Sequence, residues 1–518
     1  MNGAQALIRT LANCGVDICF TNPGTSEMHF VAALDSVPEV RAVLALFEGV
    51  ATGAADGYAR VAGRPAATLL HLGPGLGNGW ANLHNARRAH TPIVNIVGDH
   101  ATYHKKYDAP LTSDIEGIAR AVSGWVRSSA STEDLTTDAA AAVAAAAGPP
   151  GQVATLILPA DVSWSESRGP AEPVAVPAAT PPDADRVRAA AAALRSEEPV
   201  ALLVGGRVLG SKAGLVAAAR VAGGSGAKLL AETFPARLRR GAGLPSVERL
   251  GYLAEFMELQ LAGITRLVVV DTKAPVSFFA YPGKASDLVP EGCEVIDLLT
   301  DGVDPIIALE TVAAELGATA APSVQPAVRP TLPDGELTAQ SLADALGALL
   351  PEGAVVSDEG NTSALFMPGA SAGSPPHDWL SLTGGSIGQG LPVATGAALA
   401  APDQPVICLQ ADGSAMYTIQ ALWTQAREGL DVTTIILNNR SYAILNLELS
   451  RVGATEPGPT ALSMLDLSTP QLDFVELSRG MGVPAHRATD VADFARLFRD
   501  ALAEPGPHLI EVVLSSVI

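Results

Sequence analysis

The chain has 518 residues, too long for one hydrophobic core and suited to about three domains. Its 33 basic and 54 acidic residues leave a net charge of −21, which argues against nucleic acid and anionic membranes as partners. Aromatics make up only 4%, so a core must be built from Ala, Val, Leu and Ile. The four cysteines, Cys14, Cys19, Cys293 and Cys408, form no C-x-x-C pair and have no clustered His, so neither a zinc site nor a disulfide framework is expected. The N-terminus lacks a basic start and carries Arg9 where a signal core would be apolar. No apolar run approaches the ~20 residues of a membrane helix. A reducing, cytoplasmic location follows as the expectation.

Short apolar runs predict strands at 67–72, 93–98, 154–158, 200–204 and 267–271, then at 354–357, 406–410, 433–437 and 509–514. Many are apolar on successive residues, as in strands covered on both faces. Ala- and Leu-rich segments of helical length lie between them, as at 5–15 and 185–194. Strand and helix alternating in this way predicts an α/β chain of doubly wound, mainly parallel sheets. The Pro- and Ala-rich stretches 167–183 and 318–334 read as linkers. They mark off three domains, 1–166, 184–317 and 335–518.

The most informative segment is QADGSAMYTIQALWTQAREGLDVTTIILNNRSY, from Gln410 to Tyr442. It reads as a strand ending at Asp412, a helix, and a second strand ending at Asn439. A βαβ unit sets the carboxyl ends of its strands side by side, where ligands gather. An Asp carboxylate and an Asn amide oxygen there are hard ligands, and the Ser441 carbonyl can add a third. Mg²⁺ takes few protein oxygens and completes its octahedron with diphosphate oxygens and water. Gly413 allows close backbone approach. An isolated Asp-Gly at such a place is more often a helix cap and a polar strand end.

At these residues the chain resembles the thiamine-diphosphate enzymes, whose signature is G-D-G followed at this spacing by N-N; Ala411 replaces the first Gly. The resemblance covers nearly the whole chain and is nearest to acetolactate synthase large subunits and benzoylformate decarboxylase. It implies thiamine diphosphate and Mg²⁺ as cofactors. Metal ligands would be Asp412, Asn439 and Ser441, and diphosphate contacts would include Gly413, Ser414, Asn361 and Thr362. In VLALFEGVATGAADGYAR, Glu48 follows an apolar strand and opens a small-residue helix. The resemblance makes it the carboxylate that shares a proton with N1′ of the aminopyrimidine; the alternative is a helix cap. In GGSIGQGLP, Ile387 would wedge beneath the cofactor and bend it, with the Gly385 carbonyl accepting from the 4′-amino group.

The opening TNPGTSEMHF resembles the substrate-side loop of benzoylformate decarboxylase, with Thr25 where Ser usually stands. His71 resembles a proton-shuttling His, and as a lone His at a strand end it is equally a packing residue. The stretch APVSFFAYPG has Phe278, Phe279 and Ala280 where the decarboxylase carries another His. The Arg-Phe-Asp-Asp-Arg stretch that holds FAD in acetolactate synthases is missing, which argues against a flavin. The resemblance thus implies decarboxylation of a 2-keto acid with carboligation, or an aryl 2-keto acid decarboxylase. It also implies a homodimer or homotetramer whose active sites lie between subunits. A non-catalytic cofactor-binding homologue is the alternative of another class, against which an intact Glu48 argues.

Overall fold

The computed structural model describes residues 1–454 and 456–515; positions 455 and 516–518 of the third expected domain lie outside the described residues. Eighteen strands form three sheets among these residues. The first takes β1 (Ile18–Asn22), β2 (Arg41–Leu44), β3 (Ala66–Leu70), β4 (Ile93–Asp99), β5 (Trp125–Ser128) and β6 (Val153–Pro159). Their order is β2-β1-β3-β4-β6-β5, all parallel. The middle stretch supplies β7 (Val200–Val204), β8 (Lys228–Ala231), β9 (Leu238–Arg240), β10 (Glu248–Arg249), β11 (Arg266–Val270) and β12 (Glu294–Asp297). Five of them form a parallel sheet, β10-β8-β7-β11-β12.

The last third supplies β13 (Val355–Glu359), β14 (His377–Ser381), β15 (Val406–Ala411), β16 (Val432–Asn438), β17 (Ala485–Ala488) and β18 (His508–Val513). They order as β17-β18-β16-β15-β13-β14, parallel, with β9 added antiparallel at the β14 edge. The fold is therefore the expected α/β type. Its one departure is β9, which lies in the middle of the sequence and pairs with the last sheet. No helix or strand falls within 318–334.

The strands form because their apolar residues are buried on both faces: β4, β6, β7 and β16 are buried at every position. The first and last sheet units share one core, in which helix Glu48–Ala62 packs on helix Gly390–Ala400. The two axes come close because a Cβ on Gly57 or Gly396 would fall 2.1 or 1.9 Å from the carbonyl oxygens of Val393 and Ala54. Asp56 and Arg60 form a buried ion pair on the first of these helices, and Gln389 donates to Asp56 at 2.8 Å. The register between the units is thus fixed by small residues and by buried charge.

Candidate active site

In open parallel sheets, ligands bind beyond the strand ends where the strand order reverses. The last sheet reverses between β13 and β15, whose ends lead into Asn361 and Asp412. Asn361 is in the left-handed region at φ 49, and its Nδ2 donates to Ser414 Oγ at 3.0 Å. Thr362 follows in the same turn, half-buried. Asp412 is buried; its Oδ1 accepts the Gly413 N–H at 2.8 Å and its Oδ2 the Arg440 N–H at 2.7 Å. Arg440 has φ 59, so the chain after β16 turns back over Asp412 with Asn439 and Ser441 on either side. Asn439 Nδ2 donates to Ser363 Oγ at 3.3 Å, and its Oδ1 accepts the Ser441 N–H at 3.0 Å. The structure therefore brings Asn361, Asp412, Gly413, Ser414, Asn439 and Ser441 to one crevice.

Burial pushes the Asp412 carboxyl up from its ordinary range, against the N–H groups of Gly413 and Arg440. A carboxylate has about four acceptor positions, and these donors fill only part of them. A divalent cation beside it would favour its charged form. Carboxylate, amide and carbonyl oxygens make the donor set that suits Mg²⁺. The residues present fit a cation-bridged diphosphate. Gly413 has a second constraint, since a Cβ there would lie 2.4 Å from the Tyr442 ring.

The 384–388 loop is held beside this crevice. Buried Glu359, at the end of β13, accepts the N–H groups of Gly388 and Gly390, each at 2.6 Å. From the other side Asn85 donates to Ser386 O at 2.8 Å, and His84 Nε2 lies 3.2 Å from Gly384 O. Ile387 is half-buried, and Gly385 is exposed with φ 73. The tip of Phe278 occupies the space that a Gly385 Cβ would need.

The first sheet reverses between β1 and β3, whose ends lead into Thr25 and His71. His71 Nδ1 lies 2.8 Å from Glu27 Oε2, which also accepts the Gly24 N–H at 2.8 Å. A Cβ on Gly24 would fall 2.2 Å from the imidazole, so the loop presses directly on it. Burial raises the Glu27 carboxyl, while the His71 charge and the Gly24 N–H pull it down. Thr25 is exposed beside this pair. Glu48 is buried and opens its helix, but Phe47 occupies the cap position. Instead of capping, Glu48 Oε2 accepts from Asn78 Nδ2 at 3.0 Å. A Cβ on Gly75 would lie 3.2 Å from Oε1, leaving that oxygen the open side.

Sequence reasoning missed Glu27, Asn78, Asn82, Asn85 and Glu359. The three asparagines lie on helix Leu72–Arg88 at i, i+4 and i+7, one face of the helix, and that spacing was the available signal. Asn82 donates both to Gly49 O at 2.8 Å and to Gly388 O at 3.2 Å. Among the described residues no hydrogen bond joins Glu48, His71 or Glu27 to Asp412, Ser414 or Asn439.

The middle sheet reverses between β7 and β11, at Gly205, Gly206, Asp271 and Thr272. Glu232 fills this crevice: it accepts the Gly206 N–H at 2.8 Å and the Thr272 hydroxyl at 2.9 Å. Asp271 pairs with Arg207 at 3.0 Å. The Gly206 and Arg207 N–H groups at this crevice are thus taken by the carboxyl groups of Glu232 and Asp271.

Two strand-end half-sites on one chain, one with a buried Glu and one with a diphosphate and cation cradle, define an α/β protein built for a phosphorylated cofactor. Residues 1–119 match the family described as thiamine pyrophosphate enzyme, N-terminal TPP binding domain, and residues 358–512 match its C-terminal TPP binding domain. The chain belongs to the thiamine pyrophosphate enzyme family. It is 60% identical, over 100% of both chains, to the Mycobacterium tuberculosis protein IlvX, named for an acetolactate synthase large subunit. It is 29% identical to benzoylformate decarboxylase of Pseudomonas aeruginosa over 99% of each chain. The structure of a thiamine diphosphate-dependent 4-hydroxybenzoylformate decarboxylase from Rhodococcus jostii superimposes with a TM-score of 0.85, at 26% identity, covering 99% of each chain.

Proposed function

We propose that this thiamine-diphosphate enzyme requires Mg²⁺, decarboxylates a 2-keto acid and joins the acyl unit to a second carbonyl compound, in the manner of acetolactate formation. The turn that folds Asn439 and Ser441 over buried Asp412 carries the reading. Thiamine diphosphate, when bound, supplies a carbon acid that adds to the keto carbon and an electron sink for loss of CO₂. Asp412, Asn439 and the Ser441 carbonyl hold the cation. Asn361, Thr362, Gly413 and Ser414 contact the diphosphate. Ile387 would lie beneath the bound cofactor, and the Gly385 carbonyl would accept from its amino group. Glu48 would exchange a proton with the bound pyrimidine through Oε1, while Asn78 keeps Oε2 engaged. His71, oriented by Glu27, and the Thr25 hydroxyl move protons at the substrate.

The three sheets support three domains at 1–166, 184–317 and 335–518, with β9 of the middle one reaching across to the last sheet. A cytoplasmic homodimer or homotetramer is the working assembly. Glu232 in the middle crevice supports a colourless enzyme that is active without flavin.

A second reading, an aryl 2-keto acid decarboxylase, has its own observation. Phe278 packs on Phe234 and Tyr252, with centroids 5.8 and 5.3 Å away, beside the 384–388 loop. An apolar wall of this kind suits a ring. The discriminating assay is the ratio of acyloin to aldehyde with pyruvate and benzoylformate in turn. With no His among Phe278, Phe279 and Ala280, protonation at the substrate carbon is expected to be slow and acyloin to dominate with pyruvate. Aldehyde alone at high acceptor concentration overturns carboligation, and turnover of benzoylformate only establishes the second reading.

A further inference from the structure

Away from the strand-end site, a cavity of about 270 Å³ opens between the 238–249 stretch and residues 368–379. Arg239, Arg240, Arg249, Gln325, Ser246 and Trp379 are among its lining residues. None of the candidate active-site residues lines it. In a chain of net charge −21, two arginines, Arg240 and Arg249, at one small cavity run against the overall balance.

Their pairing is incomplete. Arg239 lines the cavity only from β9, since its side chain turns to the opposite face and reaches Asp378 at 3.2 Å beside Arg237 at 2.7 Å. Arg240 lies over the Trp379 ring, 5.4 Å from its centroid, and donates only to the Pro368 carbonyl. Arg249 has no ion pair among the described residues. The remaining nearby carboxyl, Asp358, is buried and engaged by Trp379 Nε1 at 2.9 Å and the Gly360 N–H at 3.1 Å. Burial first, and the Arg249 charge second, push the Arg240 guanidinium down to about 10. Asp358 is the one counter-charge that acts on both Arg240 and Arg249; two half-buried like charges sharing one carboxyl are costly, and an anion between them offsets that cost.

We propose that this cavity binds a small doubly charged oxyanion, a phosphate monoester or a dicarboxylate, at a site separate from the cofactor crevice. Guanidinium forks match both groups, with two parallel N–H donors to two oxygens. The volume lies below the ~300 Å³ at which pockets for drug-sized ligands begin, so a dinucleotide is excluded. Trp379 forms one wall and also holds Asp358, so occupancy is read directly by its fluorescence. The inference does not rest on the proposed reaction, since its readout is binding.

The test uses the full chain loaded with thiamine diphosphate and Mg²⁺, so that the diphosphate crevice is filled. Inorganic phosphate and malonate are titrated separately by calorimetry and tryptophan fluorescence in an anion-poor buffer, and the tighter arm identifies the class. Saturable binding with fluorescence change, lost in the Trp379→Phe chain and weakened at least tenfold in Arg249→Gln, is the expected result. Arg249 makes no native ion pair, so that variant keeps its fold; Arg240→Gln is the second, stronger variant, with circular dichroism as its control. Failure of both anions to saturate over the millimolar range overturns the proposal. So does an Arg249→Gln chain that titrates like the parent.

Discussion

Glu48 and Asn78 stand 30 residues apart and meet only because the helices that follow β2 and β3 open on either side of β1. The amide holds one carboxylate oxygen and leaves the other facing Gly75, so the direction of proton exchange is set by a neutral donor. Glu48→Gln is expected to slow exchange of the cofactor's C2 proton by orders of magnitude, with an unchanged circular dichroism spectrum. Asn78→Ala leaves the carboxylate free to rotate, and exchange should slow by about tenfold while cofactor affinity stays near the parent's, as loss of one hydrogen bond to a charged group implies. Deuterium exchange followed by NMR reads both, and a parent rate in the Glu48 variant removes its catalytic role. Asp412 acts on affinity instead. Asp412→Ala takes away the only carboxylate among the three expected metal ligands, so thiamine diphosphate should bind at least tenfold more weakly by calorimetry. Unchanged affinity sinks the metal assignment.

At the scale of elements, the strands that the sequence revealed are those buried on both faces, because continuous Val, Ile and Leu runs admit few other readings. β7 falls at 200–204 as expected, and β15 and β16 differ by a residue at their ends. The elements it hid are short, polar or partly exposed: β9 is Leu-Arg-Arg and β10 is Glu-Arg. Their pairing is decided by what lies across from them. The site divides in the same way. Asp412 and Asn439 were legible because one βαβ unit fixes their spacing. Glu27, Asn78 and Glu359 were not, because their partners come from other elements. Glu232 belongs to this hidden class and carries its own prediction. Folded, its carboxyl is raised to about 7 by burial; unfolded, it titrates near 4.3. Between those values the folded chain holds one more proton, so this group's stabilising effect is complete below about pH 4 and is lost as pH rises to about 7. Glu232→Gln should flatten that slope and stabilise the protein at pH 8 by up to about 3 kcal/mol. Denaturant unfolding at pH 5 and pH 8 decides it, and equal slopes in parent and variant refute the buried acid.

At the scale of the whole molecule, the two half-sites stand on different sheets. Glu48 follows a strand of the first sheet and Asp412 a strand of the last, and the shared core fixes the two units against each other within the chain. The helix carrying Asn78, Asn82 and Asn85 lies between Glu48 and the 384–388 loop and ties both. We propose that the Glu48 and the Asp412 that touch one cofactor come from different copies of the chain in a symmetric assembly. Mixing two crippled variants tests this. Chains bearing Glu48→Gln and chains bearing Asp412→Ala should each be inactive alone. After subunit exchange, a mixed dimer pairs the intact Glu48 of one chain with the intact Asp412 of the other, and its second site carries both lesions. With random exchange half the dimers are mixed and half their sites are whole, so roughly a quarter of the parent activity should return. A site contained within one chain has no such rescue: every site keeps one lesion however the chains assort, and the mixture stays inactive.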